Sequence, residues 1–262
     1  MMRLGVVPYL NALPLYHTLQ QHTLQASTQV DVVRAVPSQL APQLARGECD
    51  VALIPIVEHF RGVGESVISD ACIGSSQAVR SVLLFHRVPL QEITSVTVDA
   101  SSRTSVALLR IVLEDGYGIT PAFIEHTPDF DTMFDAHDAA LLIGDNALEA
   151  TPRAQESNTA ILDLGLAWKR ITGLPFVYAA WVTRRGLEPH TQAELATLLN
   201  QARDEGTQRI IEIARDATAN IPAATIESYL REAIEYSLTP RHRAGMTEFK
   251  RRCLAKKLIE SH

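Results

Sequence analysis

The segment 96–113 constrains the fold of this chain more than any other, because a strand pattern runs directly into a helix pattern there. Val96 and Val98 are typical of a strand, and apolar residues then recur at helical spacing as far as Leu113. The helix is predicted to begin within 101–104. Since the first N–H groups of a helix lack intrahelical partners and carry partial positive charge, this junction is suited to hold a carboxylate or a phosphate.

Four hydroxyl residues surround this predicted helix start: Ser101, Ser102, Thr104 and Ser105. Two interpretations fit them. In the first, one Ser simply caps the helix, which is the commoner role of an isolated Ser. Four hydroxyls are more than a cap requires, however, and together with the charge of Arg103 they favour a site that binds an anion.

Strand patterns alternate with helix patterns along the first two thirds of the chain. The first three strands are predicted at 3–7, 30–36 and 50–55. Ser38 is predicted to cap the helix between the second and the third. Because strands separated by helices are typical of a parallel sheet with right-handed crossovers, the fold class is predicted to be α/β.

The last third of the chain has a different pattern. A short helix is predicted over 161–173 and a long apolar strand over 176–183. Beyond this strand the periodicity predicts helices only, at 192–214, 223–236 and 241–259.

Polar residues follow the ends of two predicted strands. Tyr9 and Asn11 follow the first strand, and Gly144 and Asp145 end a later buried strand. Because open α/β sheets bind ligands at the carboxyl ends of their strands, these residues are candidates for binding. Other roles remain open: Asn11 suits a turn or a cap, and Asp145 suits the cap of a helix beginning at Asn146 equally well.

The charge of the chain argues against two classes of partner. Its 262 residues include 24 Lys and Arg against 30 Asp and Glu, a formal net charge of -6 at pH 7. This balance offers no electrostatic footprint for nucleic acid or for an anionic membrane. A basic cluster lies on the last predicted helix, at 250–252 and 256–257. Since no aromatic residues are interleaved with it, it is expected to be a solvated face.

Several kinds of site lack their sequence patterns. The His residues show no i,i+3 or i,i+4 pairing, and there is no phosphate-binding loop, dinucleotide fingerprint or nucleophile elbow. No metal and no cofactor are therefore expected. Cys49, Cys72 and Cys253 are odd in number and far apart, which argues against a disulfide framework. Because no signal peptide or membrane span is recognisable, a cytoplasmic protein is expected.

Four segments in this order together resemble the chorismate dehydratases, the first enzymes of the futalosine route to menaquinone. They are 3–15, 98–111, 142–145 and 163–179. The resemblance implies an α/β fold of two lobes, like that of the class II periplasmic-binding proteins, with a helical C-terminal tail. It also implies a first lobe of residues 1–87 and 183–262, a second lobe of residues 88–182, and a ligand cleft between them.

The same resemblance implies which residues meet the substrate. It implies that Asn11 and Ser81 lie nearest the reacting ring of chorismate, although Ser81 is predicted inside a strand, where position alone would give it no role. The helix start near Ser102 would hold one carboxylate. The residues then expected to bind substrate are Tyr9, Ser101, Ser102, Thr104, Ser105, Gly144 and Asp145.

The implied reaction removes water from chorismate and gives 3-[(1-carboxyvinyl)oxy]benzoate. Two other functions would share such a cleft: a non-catalytic sensor or solute-binding protein for a small carboxylate, and the sister enzyme that forms dihydroxynaphthoate. The sister enzymes carry a Pro-Cys-Pro-Asn-Asp-Thr type segment where this chain has Tyr9, Leu10 and Asn11. The chain departs from the pattern of the chorismate dehydratases that it resembles at Gln77-Ala78, where a Gly-Pro pair is common. No oligomeric state is predicted.

Overall fold

The structure is a computed structural model that describes residues 1–19, 22–24, 28–99, 102–134 and 137–260. Its strands are β1 (Met2–Val6), β2 (Thr23–Leu24), β3 (Thr28–Arg34), β4 (Val51–Pro55), β5 (Val67–Ser75), β6 (Val82–His86), β7 (Ser95–Asp99), β8 (Ala122–His126), β9 (Ala139–Ile143), β10 (Ala160–Asp163), β11 (Phe176–Thr183) and β12 (Glu235–Ser237). Its helices are α1 (Leu13–Tyr16), α2 (Pro37–Ala45), α3 (Ile56–Phe60), α4 (Thr104–Tyr117), α5 (Gly144–Glu156), α6 (Leu164–Thr172), α7 (Pro189–Gln208), α8 (Ile210–Asp216), α9 (Ala223–Ser228) and α10 (Pro240–Ala255).

The strands of the described residues form two sheets, and each sheet is the centre of one lobe. The order is β12-β5-β11-β4-β1-β3-β2 in the first lobe and β10-β6-β9-β7-β8 in the second. In the first lobe β1 runs parallel to both β3 and β4, as the alternation of strands and helices predicts. In the second lobe β7 runs parallel to both β8 and β9. The predicted two-lobed α/β fold is therefore confirmed.

The most apolar strands lie at the centres of these sheets. All five residues of β4 and all five of β9 are buried. Strands that are covered on both faces read as continuous apolar runs rather than as an alternation of apolar and polar residues. Burial on both faces thus explains why the runs Val51–Pro55 and Ala139–Ile143 contain no charged residue.

The chain changes sheet earlier than predicted at both crossings. It leaves the first sheet after Ser75 and enters the second at Val82, and it returns between Asp163 and Phe176. The predicted boundaries, 1–87 with 183–262 and 88–182, therefore place β6 and β11 with the wrong sheets. The reason is that an apolar run does not reveal its pairing partner: β11 inserts antiparallel between β4 and β5.

Four local predictions also need correction. The segment predicted as a helix over 161–173 begins with β10, and the one over 223–236 is divided into α9, a π-helical turn (Tyr229–Ala233) and β12. Thus strands do not stop after Thr183, because β12 pairs with the edge strand β5. Val36, not Ser38, is the N-cap of α2, and α5 begins at Gly144 rather than at Asn146.

The basic cluster on α10 is engaged in ion pairs with α4 rather than only solvated. Arg252 contacts Asp115 at 2.5 Å and Glu248 at 2.7 Å. Lys256 lies 2.7 Å from Asp115 and 2.8 Å from Glu114. Because the Arg252 side chain is only 17% exposed, this network is better shielded from solvent than an isolated surface pair.

Replacing Arg252 with Met is expected to lower the free energy of unfolding by about 1–2 kcal/mol, since a charge-assisted network is lost while the apolar stem is kept. Urea unfolding at low and at high salt measures the effect, and the loss should shrink at high salt. Lys257→Met is the control, with an expected change below about 0.5 kcal/mol. Equal losses in the two variants would contradict a stabilising network.

Every helix within the described ranges falls short of the length and apolar character that crossing a membrane requires.

Candidate active site

A cleft opens between the two sheets, with about 590 Å³ of space that is continuous with solvent. Apolar side chains from both lobes form its walls, among them Val7, Leu53, Ile73, Val82 and Ile143. The sequence-predicted residues that line the cleft are Tyr9, Asn11, Ser81, Ser102, Thr104, Ser105 and Gly144. Ser101 lies outside the described residues.

The topology explains why these residues meet. Tyr9 and Asn11 follow β1, the segment Ser102–Ser105 follows β7, and Gly144 follows β9. The carboxyl ends of parallel strands share one edge of a sheet, and ligands bind there in open α/β folds. The two sheets turn these edges toward the same cleft, so residues that are about a hundred positions apart in sequence face one another.

The first backbone N–H groups of α4 are not capped by the side chain at the N-cap position. The helix begins at Thr104, inside the predicted window, and no side-chain hydrogen bond caps it at Arg103. The Ser102 hydroxyl is buried and has no hydrogen-bond partner among the described residues. The Thr104 hydroxyl accepts the N–H of Val57 at 3.3 Å, and its own proton is free to donate elsewhere. The capping role is therefore not observed for the described hydroxyls.

Ser81 sits immediately before β6 rather than inside the strand. It is fully buried from solvent, and its backbone carbonyl accepts the N–H of Gly144 at 2.8 Å. The Tyr229 hydroxyl donates to the Ser81 Oγ at 2.7 Å. Burial raises the pKa of Tyr229, while the hydrogen bond with Ser81 lowers it. A neutral phenol from the C-terminal tail thus contacts Ser81, one of the two residues that the resemblance places nearest the reacting ring.

Asp163 holds the loop that precedes Ser81. Its carboxylate accepts the N–H of Val79 at 3.1 Å and that of Arg80 at 2.7 Å. It also caps α6 by accepting the N–H of Leu166 at 3.0 Å. Burial raises the pKa of Asp163, and these backbone donors oppose the rise. Arg80 adopts a φ of 64°, which is uncommon for a residue other than Gly, so the loop is held by tertiary contacts.

Gly165 allows this loop to approach closely. A Cβ at this position would lie 2.7 Å from the carbonyl oxygen of Gln77 and 2.9 Å from the hydroxyl of Tyr178. The α6 start can therefore pack directly on the Gln77-Ala78 segment, where the chain departs from the family pattern. Tyr178 lines the cleft as well, although its position in the apolar run 176–183 did not mark it as a site residue.

Asp145 makes a contact between the lobes that neither sequence interpretation anticipated. It does not line the cleft, and it lies inside the first turn of α5 rather than capping it. Its Oδ1 accepts the N–H of Leu10 at 3.1 Å. Beside it, a Cβ on Gly144 would lie 3.4 Å from the ring of Tyr9. The two residues thus mark where the second lobe touches the segment after β1.

Replacing Asp145 with Asn is expected to stabilise the protein near neutral pH. Burial raises the pKa of Asp145 to about 6, above its value in an unfolded chain, so the folded state holds this proton more tightly. The stability that this group contributes is present below about pH 4 and is lost as the pH rises through about 6. The replacement amide has no proton to lose and can still accept from Leu10.

Urea unfolding between pH 4 and pH 7 measures this effect. The variant should match the wild type at pH 4 and exceed it at pH 7 by about 1–3 kcal/mol. The same substitution at the exposed Asp216 is the control and should show no such trend. If the free energies of unfolding of Asp145→Asn and the wild type differed by the same amount at every pH, this would contradict a raised pKa of the Asp145 carboxyl.

The lining of the cleft offers hydroxyls, an amide and one cation. Among the described residues that line it, none is Asp, Glu or His, and Arg103 carries the only charge. No group of three His, Cys, Asp or Glu side chains within the described ranges could hold a metal ion. Such a site can orient anionic groups and donate hydrogen bonds.

Comparison with known proteins identifies the family and the relatives of this chain. Residues 2–255 match the family model described as menaquinone biosynthesis. The chain is 32% identical over 227 residues to the chorismate dehydratase of Thermus thermophilus, covering 80% of this chain and 79% of the relative. It is 25% identical over 264 residues to the chorismate dehydratase of Campylobacter jejuni, covering 96% and 97%.

Solved structures show the same architecture at low sequence identity. A protein from Archaeoglobus fulgidus matches with a TM-score of 0.75 and 16% identity over 98% of both chains. The alkanesulfonate-binding protein of Xanthomonas axonopodis matches with a TM-score of 0.67 and 17% identity, over 99% of this chain and 94% of the other. These likenesses show a periplasmic-binding-protein-like fold. By its family match and its curated relatives, this chain belongs to the menaquinone biosynthesis family that includes the chorismate dehydratases.

Proposed function

We propose that this chain is a hydro-lyase that converts chorismate to 3-[(1-carboxyvinyl)oxy]benzoate and water. The curated relatives carry the name of this activity. One observation in the structure carries the proposal: the cleft places the uncapped start of α4 on one lobe opposite Asn11 on the other. Donors on both sides are what a substrate with two carboxylates and a departing hydroxyl requires.

The reaction breaks two bonds of the chorismate ring. The C4 hydroxyl leaves, the proton at C3 is removed, and the electron pair of the C3–H bond forms the double bond that completes the aromatic ring. The proton and the hydroxyl together make one water. Because aromatisation supplies the driving force, the protein has to orient the substrate, assist the leaving hydroxyl and exclude competing rearrangements.

The start of α4 is proposed to hold one carboxylate of chorismate. The free hydroxyl of Ser102, the hydroxyls of Thr104 and Ser105, and the first backbone N–H groups of the helix supply neutral donors. Arg103 supplies a charge at the cleft wall. These groups bind an anion equally in substrate and product, so they are proposed to govern binding rather than the chemical step.

Asn11 and Ser81 are proposed to act on the reacting side of the ring, as hydrogen-bond partners of the leaving hydroxyl or of the enolpyruvyl group. Since no Asp, Glu or His lines the described part of the cleft, we propose that the enolpyruvyl carboxylate of the substrate accepts the C3 proton. Glu58, the acidic residue that follows β4, is instead paired with Arg61 at 2.7 Å. The protein then acts by positioning and by hydrogen bonding.

Incubation of the purified chain with chorismate tests this proposal. We expect a single product with the mass of chorismate less one water, formed faster than any rearrangement in a sample without protein. Thermal stabilisation by chorismate without turnover would favour a sensor for a small carboxylate instead. A cytoplasmic location forms part of the proposal, supported by the biosynthetic role in the family description.

A further inference from the structure

Two side chains from distant parts of the chain form a buried hydrogen bond beside the cleft, which we call the hydroxyl relay: Tyr229 and Ser81. Tyr229 is 1% exposed and Ser81 is 0% exposed. The Tyr229 hydroxyl lies 2.7 Å from the Ser81 Oγ. Asn11 and Ser81 line the cleft, whereas Tyr229 does not.

The protons available on these side chains determine which group donates in the hydrogen bond of the relay. A phenol has a single proton, and Tyr229 donates it to Ser81. Ser81 accepts from Tyr229, so its own hydroxyl proton is left to point toward another acceptor. The donors thus run from Tyr229 to Ser81 and toward the cleft.

We propose that Tyr229 is a positioning residue, which orients the Ser81 hydroxyl as a hydrogen-bond donor to the departing C4 hydroxyl of the substrate. This inference rests on the proposed function. Tyr229 touches no substrate atom and acts only through Ser81. Each donor in such a chain polarises the next one, so Ser81 becomes a stronger donor than an isolated Ser hydroxyl.

The backbone around Tyr229 fits this role. Tyr229 begins a π-helical turn, Tyr229–Ala233, directly after α9. Such turns are rare and occur frequently at functional sites. Two contacts tie this region to the loop before Ser81: the Arg80 guanidinium donates to the hydroxyl of Ser228, just before the turn, at 3.1 Å and to the carboxylate of Glu232, within it, at 3.5 Å. These contacts hold the loop and the turn together, and they thereby fix the distance from Tyr229 to Ser81.

Tyr229→Phe tests the inference, because it removes the hydroxyl and keeps the ring. We expect kcat for chorismate dehydration to fall roughly 10- to 100-fold, with KM within about twofold of the wild type and Tm lower by only a few degrees, since one buried hydrogen bond is lost. The matched control is Tyr236→Phe, which removes another buried phenol hydroxyl, one without a partner among the described residues. This control should keep the wild-type kcat.

The outcomes separate the inference from the proposed function. If the wild type does not dehydrate chorismate, the proposed function fails. If the wild type is active and Tyr229→Phe has the same kcat, the inference alone is overturned. Parallel losses of kcat and Tm in both Tyr variants would also overturn it, because they would indicate a structural role that any buried phenol could fill.

Discussion

Replacing Ser81 with Ala is expected to lower kcat for chorismate dehydration by about 100- to 1,000-fold, while KM stays within about threefold of the wild type. The Ser81 hydroxyl is fully buried at the edge of the cleft, and its proton is directed away from Tyr229. It is proposed to donate to the oxygen that acquires charge as the C4–O bond breaks. A bond that strengthens only in the transition state changes kcat rather than KM.

Steady-state kinetics with chorismate measures this effect, with Ser69→Ala as the matched control. Ser69 is another buried Ser, in β5 of the first lobe, but its hydroxyl bonds locally to the backbone of Ala71 and lies outside the cleft lining. Asn11→Ala should also lose kcat, since it removes the amide that is proposed to hydrogen-bond the leaving hydroxyl or the enolpyruvyl group. Near-wild-type kcat in both Ser81→Ala and Asn11→Ala would remove these residues from the mechanism.

Replacing Gly206 with Ala is expected to cost about 3 kcal/mol of stability, at the upper end of what overpacking costs. Gly206 lies in α7, and a Cβ there would be only 1.9 Å from the carbonyl oxygen of Pro14 in α1. That oxygen belongs to the backbone, so the two helices must separate. Because α1 directly follows the segment that carries Tyr9 and Asn11, the displacement is also expected to lower kcat.

Gly116→Ala is the matched control for this substitution. Gly116 also lies in a long helix, α4, but a Cβ there would only touch Ile171 at 3.4 Å. Ala is the better helix former, so the control is expected to leave stability unchanged or to raise it by up to about 1 kcal/mol. Urea unfolding of both variants gives the comparison. Equal stability in the two variants would contradict the close crossing of α1 and α7.

The part of the site built from local signals was predictable from the sequence. The hydroxyls at the start of α4 stand beside a clear change from strand to helix periodicity, and the structure starts that helix at Thr104. Tyr9 follows an apolar run that ends at Pro8, and Gly144 marks the end of the apolar run 139–143. Such signals lie within a few residues of the feature that they predict.

The parts that depend on distant pairing were not predictable. Tyr229 lies 148 residues from Ser81, and an aromatic residue in a helical pattern is typical of the core. The strand β12 was not predicted for a similar reason: residues 235–237 form a strand only because they pair with the edge strand β5. Asp145 meets Leu10 across the lobes, a contact that neither helix capping nor ligand binding would suggest.

The most direct test of the central claim is combined proton and deuterium NMR of chorismate deuterated at C3 during incubation with the purified protein. The account predicts that the ring signals of chorismate are replaced by those of 3-[(1-carboxyvinyl)oxy]benzoate, that the deuterium appears in the solvent, and that Ser81→Ala slows both changes together. Chorismate that persists unchanged with active, folded protein, or a product that retains the deuterium, would contradict it.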